Sequence, residues 1–204
     1  MANLRAAQKE MTRRRLLSTA LELFQEKGYT GTTIDEIAAA AGTTRVTFYA
    51  HFPSRDGVMR ELLDELNEIL ERPASQRGST STGLVEAVRA GTRDAIRPWL
   101  DEQVGHWPHI KPYILVATEA AAVDSDLRAV FHSWWDEVIA DIREGLDAAD
   151  RFPAAERRFR AHLAMSLLDQ AALEWMRDGE GDAPLPLRVD VLTEAWAGII
   201  GRGR

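Results

Sequence analysis

Residues 32–55 read TTIDEIAAAAGTTRVTFYAHFPSR. The polar side chains in this stretch suit a surface of repeated phosphates and base edges. Arg45 carries five N–H donors in a planar fork that matches guanine O6 and N7, and such a bidentate pair discriminates against a wrong base by roughly ten- to a hundredfold. Val46 can touch a thymine methyl. Thr44, Thr47 and the Tyr49 hydroxyl can hydrogen-bond phosphate oxygens or base edges, and a phosphate contact positions a helix without reading sequence. Thr33 stands where a helix begins, and free backbone N–H groups there favour phosphate. His51 and Arg55 follow, each placed for a neighbouring phosphate.

Such chemistry needs a short helix held away from the rest of the chain. Leu17, Ala20, Leu21 and Phe24 fall at i, i+3, i+4, i+7 and predict a first helix ending at Gly28. Thr33 and Glu36 form a capping box for a second, with Ile34, Ile37, Ala38 and Ala41 on its apolar side and Gly42 at its end. A third helix runs from about Thr44 to Ala50, and Ser54 caps a fourth with the stripe Met59, Leu62, Leu63, Leu66, Ile69 and Leu70. Two short helices around a Gly-containing turn are a helix-turn-helix. The small Ala38 allows close crossing, and Ile34, Ile37, Phe48 and Phe52 fix the pair to its neighbours.

In these residues the sequence resembles the TetR (tetracycline-repressor-like) family of bacterial regulators. The match lies in Thr33, Ile37-Ala38, Ala41-Gly42, Thr47-Phe48-Tyr49, Phe52 and Ser54-Arg55, with Ala20, Phe24 and Gly28-Tyr29 before them. It covers about residues 12–66. Thr43 replaces a common aliphatic residue, and Val46 is bulkier than the usual Gly, Ala or Pro, so an operator sequence does not carry over. The resemblance implies a homodimer, operator binding, and release from DNA when a ligand occupies a larger domain.

The expected fold is all-α: an N-terminal three-helix DNA-binding domain and a larger C-terminal helical domain, about nine helices in all. The division is 1–54 for the helix-turn-helix domain, 55–71 for a connecting helix, 72–83 for a Pro/Gly/Ser/Thr-rich linker, and 84–204 for ligand sensing and dimerisation. Pro98 is expected to kink or end the fifth helix, and Pro108 and Pro112 to bracket an irregular start to the sixth. Asp124 or Ser125 caps the seventh, Pro153 opens the eighth, and residues 179–186 form a loop before the last.

Net charge is −7 over 204 residues, but it is uneven: +3 in residues 1–60 and −10 beyond. No acid falls between Glu36 and Asp56, so an acid-free island sits in an acidic chain. Arg5, Lys9 and Arg13 to Arg15 form a basic arm before it, equally readable as a DNA contact or a solvated helix end. There is no cysteine, which removes disulfides, thiolate metal sites and a cysteine nucleophile. No leader or membrane span is expected, so the expected location is cytoplasmic.

All six tryptophans lie from Trp99 onward. Trp99, Trp107, Tyr113, Phe131, Trp134, Trp135 and Trp175 are candidates to line a pocket for a small apolar or aromatic molecule. Glu119, the one charge between Lys111 and Asp124, is a candidate for a polar group on that molecule, against an exposed helix face or an internal ion pair. Residues 156–178 and 187–201 are apolar on more than one side and are expected to form a four-helix dimer bundle, with Leu163, Leu167, Ala171, Leu192, Trp196 and Ile199 at the interface. Asp169 interrupts that surface. His106, His109, His132 and His162 do not make a metal signature, and no cofactor is expected. No nucleophile elbow, phosphate loop or zinc motif points to an enzyme. The expected function is a ligand-responsive, sequence-specific DNA-binding regulator, a repressor by analogy. The alternative is a helical small-molecule-binding or scaffold protein whose helix-turn-helix is structural.

Overall fold

The structure is a computed structural model; it describes residues 2–69, 82–179 and 183–201. Among them are nine helices and no strand: α1 (Ala2–Lys27), α2 (Ile34–Ala40), α3 (Arg45–Tyr49), α4 (Arg55–Ile69), α5 (Thr82–Ala90), α6 (Arg93–Val123), α7 (Ser125–Ala148), α8 (Ala154–Asp178) and α9 (Leu185–Ile200). The all-α expectation holds. The predicted linker falls on residues 72–81, outside the described residues, while its last two positions, Thr82 and Gly83, open α5. Leu70 of the predicted α4 stripe also lies outside them.

The chain divides into two compact units. One comprises Met1–Pro73 with Ile110–Phe131, the other Ala74–His109 with His132–Arg204.

In the first unit, α1 stops at Gly28, whose φ of +79° is left-handed and favours glycine. Leu16, Leu17, Ala20 and Phe24 are buried, as are Ile37, Ala38, Ala41, Phe48 and Phe52, so α1 supplies the floor on which α2 and α3 rest. Val58, Met59, Leu62, Leu63 and Leu66 of α4 close this core. Three polar ties hold the 110–131 stretch in the same unit. The Tyr113 hydroxyl donates to Glu65 Oε2 at 3.4 Å, Thr30 donates to Glu119, and Arg60 pairs with Asp126 at 3.7 Å.

In the second unit, Trp99 and Trp196 stack at 5.2 Å between centroids and 24° between planes, with Ile96, Leu100, Leu146 and Ile200 buried. Arg151 satisfies helix ends: Nη1 donates to the carbonyls of Val88 (2.8 Å) and Ile200 (2.7 Å), and Nη2 to that of Arg89 (2.7 Å). The terminal carbonyls of α5 and α9, which have no partner within their own helices, are thereby capped by one guanidinium.

The prolines neither end a helix nor bracket an irregular start. The fifth helix ends at Ala90, ahead of Gly91, and α6 is continuous for 31 residues through Pro98, Pro108 and Pro112. Each proline forfeits one backbone N–H. The burial of Ile96, Trp99, Leu100, Val104, Trp107 and Ile110 along one stripe offsets those losses. Thr92 starts the helix, its Oγ1 accepting from Ala95 N at 3.3 Å. Asp124 is the residue that caps α7, its Oδ1 accepting from the N–H groups of Asp126 and Leu127.

Candidate nucleic-acid interface

Backbone geometry builds this site first. Thr33 Oγ1 accepts from Glu36 N at 3.3 Å, and the Glu36 carboxylate accepts from Thr33 N at 2.9 Å and from Thr33 Oγ1 at 2.8 Å. The capping box read from the sequence is thus complete and starts α2. Lys27 Nζ donates to the other oxygen of Glu36 at 2.8 Å. These partners, Lys27 first and then the Thr33 backbone and hydroxyl, hold the Glu36 carboxyl at about 2, so it stays ionised. The chain turns through Gly42 at φ +63°, Thr43 N bonds Ala38 O at 2.9 Å, and Thr44 caps α3 by accepting from Thr47 N at 3.2 Å. Ser54 Oγ accepts from Gly57 N at 3.0 Å and starts α4. Phe48, fully buried, packs its ring against Phe52 at 5.8 Å and edge-on to Tyr49 at 5.7 Å. That one inward aromatic fixes which side of α3 faces out.

The outer side carries the predicted residues. Val46 is 80% exposed and Tyr49 45%; Thr44 and Arg45 are exposed, and Thr47 is half-buried with its hydroxyl 3.0 Å from that of Thr44. Thr33 is exposed at the start of α2. Arg45 is not loose: Nη1 donates to Asp35 Oδ2 at 2.9 Å, Nη2 donates to the Tyr49 hydroxyl at 3.4 Å, and the guanidinium lies 5.6 Å from the Tyr49 ring centre.

Two predicted phosphate ligands have other surroundings. Arg55 Nη1 donates to the carbonyls of Tyr29 (2.9 Å), Thr30 (3.4 Å) and Thr32 (3.1 Å), and its guanidinium sits 4.2 Å over the Tyr29 ring. It ties the α1–α2 turn to the start of α4. The buried Tyr29 completes the tie by donating its hydroxyl to Asp56 Oδ1 at 2.6 Å. The His51 Nδ1 is buried with no hydrogen-bond partner. Burial, with Lys9 and Arg13 nearby, lowers the imidazole pKa, which favours its neutral form in the free chain. Of the basic arm, Arg13 pairs with Glu61 and covers Phe52 at 5.3 Å, and Arg14 pairs with Glu10 at 2.9 Å.

The candidate ligand residues are distributed over both units. A cavity of about 540 Å³ in the second unit is lined by Trp107 with Leu167 and Ala171 of α8 and Leu187, Val191 and Leu192 of α9, together with Glu174 and Arg188. Of the predicted set, Trp107 alone lines it. Trp175 packs against Trp107 at 5.7 Å, Trp99 is spent on Trp196, and Trp134 and Trp135 are half-buried on α7. Tyr113, Glu119 and half-buried Phe131 belong to the first unit. Glu119 is neither a ligand anchor in that cavity nor an idle surface charge: Oε1 accepts from Thr30 N and Oγ1, both at 3.4 Å, and a Cβ at Gly28 would stand 2.7 Å from it.

The predicted dimer residues also divide. Leu163 is 41% exposed, and Leu167, Ala171 and Ile199 are half-buried. Leu192 and Trp196 are buried within their own protomer, at 6% and 1% exposure, because α9 carries two apolar stripes and these residues lie on the inner one. Leu187 and Val191 of α9 are exposed, as are Phe159 and Leu163 of α8. Among the described residues no group of three or more His, Asp or Glu could hold a metal, and no helix is long and apolar enough to cross a membrane.

Comparison with known proteins matches residues 16–62 to the family of bacterial regulatory proteins, tetR family. The HTH-type transcriptional regulator EthR of Mycolicibacterium smegmatis is 33% identical over 192 residues, 91% of this chain and 84% of that protein. The HTH-type transcriptional repressor KstR2 of Rhodococcus jostii is 29% identical over 194 residues, 92% and 88% of the two chains. Two other curated relatives match over only 73 and 71 residues, about a third of their own lengths. Among solved structures, NalD, the secondary repressor of the MexAB-OprM multidrug efflux pump in Pseudomonas aeruginosa, superposes with a TM-score of 0.71 at 22% identity, covering 96% of this chain and 99% of that one.

Proposed function

The chain belongs to the TetR family of bacterial regulators, and from that premise we propose that it is a homodimeric repressor whose α3 reads an operator and whose second unit answers to a small apolar molecule. The observation that carries the reading is the outer side of α3. Arg45, Val46 and Tyr49 stand exposed there while Phe48, beside them, is fully buried. A helix that projects a guanidinium, a branched methyl pair and hydroxyls from a rigid base has the chemistry of major-groove recognition. Thr33, Thr44, Thr47 and Tyr49 supply phosphate contacts, and Arg45 and Val46 supply base contacts. Arg55 acts through the α1–α2 turn that it ties down.

Two half-sites require two copies. The exposed apolar side chains Phe159 and Leu163 of α8 and Leu187 and Val191 of α9 support an α8–α9 dimer bundle. With that pairing the two α3 helices would stand about one DNA turn apart, ~34–36 Å, or a multiple of it. The apolar cavity beside Trp107 supports an apolar or aromatic effector. Leu187 and Val191 belong to both surfaces, so an effector there would act where protomers meet. It would shift the operator-binding population only by its difference in affinity for the two dimer states. The proposed reading domain is 1–54 with the connecting helix 55–71, and 84–204 serves sensing and dimerisation. Clustering of Ile110–Phe131 with the N-terminal unit favours that stretch as the part of α6 and α7 that moves with the reading domain. A cytoplasmic location follows from the role.

Selection of bound duplexes from a random pool, with and without a library of apolar metabolites, tests this. Arg45→Ala should lower affinity for the selected duplexes roughly ten- to a hundredfold and change random-sequence binding far less. Recovery of no preferred sequence by the unsubstituted chain would refute the reading.

A further inference from the structure

Residues 32–55 contain two acids, Asp35 and Glu36. Glu36 is engaged by Thr33 and Lys27. Asp35 is not used in that cap. It lies in the first turn of α2, 63% exposed, and accepts from Arg45 Nη1 of α3 at 2.9 Å. A carboxylate on the face offered to a polyanion opposes binding, so its position requires a different account.

The guanidinium has five N–H groups. Asp35 takes one from Nη1 and Tyr49 takes one from Nη2, which leaves three. Those suffice for a bidentate bond to guanine O6 and N7 with Asp35 still in place. A phosphate makes a different demand. It too can accept two N–H groups from the fork, but its attraction rests mainly on charge, and Asp35 already neutralises part of that charge. If Arg45 swings out to a phosphate, the Asp35 carboxylate is left unpaired near the DNA backbone, a like-charge contact. Nonspecific docking is therefore penalised where base reading is not.

Resting on the operator-binding reading above, we infer that Asp35 is a specificity-determining residue: by holding Arg45 across the α2–α3 junction, it keeps the guanidinium for base edges and off phosphates. The two residues are ten apart in sequence, and the helix-turn-helix brings them together.

The test measures binding of the unsubstituted chain, Asp35→Asn, Arg45→Ala and the double variant, using duplexes that the unsubstituted chain selects from a random pool and random-sequence duplex of equal length, over a salt series. Asp35→Asn should bind random duplex about three- to tenfold tighter, with a log–log salt slope steeper by roughly two, about one for each protomer. Selected duplexes should change by no more than about twofold, so the specificity ratio falls. In the Arg45→Ala background the Asp35→Asn gain should drop below about twofold. Asp35→Ser should act in the same direction, and thermal unfolding should show both variants folded. Equal tightening on selected and random duplex, or a gain that persists without Arg45, would mean that Asp35 acts only as a diffuse negative charge and would overturn the inference. No change on either duplex would overturn it too. If the unsubstituted chain prefers no sequence, operator binding itself fails and takes this inference with it; a preference that survives with Asp35 inert sinks the inference alone.

Discussion

The two units share one habit and differ in what they leave outside. In each, an arginine gathers carbonyls that would otherwise be stranded: Arg55 those of Tyr29, Thr30 and Thr32 in the α1–α2 turn, and Arg151 those of Val88, Arg89 and Ile200 at helix ends. Beyond that, the first unit presents hydroxyls and a guanidinium from α3, the second the exposed apolar side chains Phe159, Leu163, Leu187 and Val191. A surface of the first kind suits a hydrated polyanion, and one of the second kind suits a dry protein partner. Rigid internal capping in both places frees the outward residues from structural work and lets their chemistry match different partners.

The largest effect that would break this contrast is expected at the apolar surface. Leu163→Glu with Val191→Glu should weaken self-association at least about a hundredfold, since paired charges of one sign would be buried at a core position. Sedimentation equilibrium reads this directly, and a variant still dimeric at micromolar concentration would refute the assignment of that surface. Next comes Arg55. Arg55→Ala should cost about 2–3 kcal/mol in chemical denaturation, because three carbonyls lose a charged donor. If stability holds and only DNA affinity falls, Arg55 is a phosphate ligand rather than a brace.

A smaller, pH-dependent effect is expected at Asp169 of α8, whose carboxyl burial raises to about 6. Its folded value lies above the unfolded one, so the folded state binds the extra proton. The unsubstituted chain should gain stability as pH falls from about 7 toward 4, and Asp169→Asn should flatten that rise. At pH 8 the Asn variant should be more stable by about 1–2 kcal/mol, allowing for partial solvent screening. Denaturation midpoints across that range test it, and parallel profiles would remove Asp169 from the account. The smallest effect is at Val46. Val46→Ala should leave the melting temperature unchanged and lower affinity about two- to fivefold only for duplexes with thymine at the contacted position.

What could be read in advance followed from the distance between partners along the chain. Thr33 with Glu36, Thr44 with Thr47, and Ser54 with Gly57 bond across three residues, so residue types and spacing announce them. Phe48 is inward and Val46 outward because a short amphipathic helix offers one solution. The partners of Arg55 lie 23 to 26 residues away and that of Glu119 lies 89 away, and no local pattern reports them. Asp35 and Arg45, ten apart, stand between these cases: the turn at Gly42 brings them together, and spacing within a single helix does not report it. The three prolines misled because packing along α6 overrides a backbone preference. Leu192 and Trp196 misled because an apolar helix with two stripes gives no unique direction to its core.

The Trp99–Trp196 stack has an optical consequence. Two indoles 5.2 Å apart and inclined by 24° couple their electronic transitions, which gives a circular-dichroism signature that neither ring produces alone. Since Trp196 rides on α9 and Trp99 on α6, that signal gauges whether the last helix is seated, without any added label.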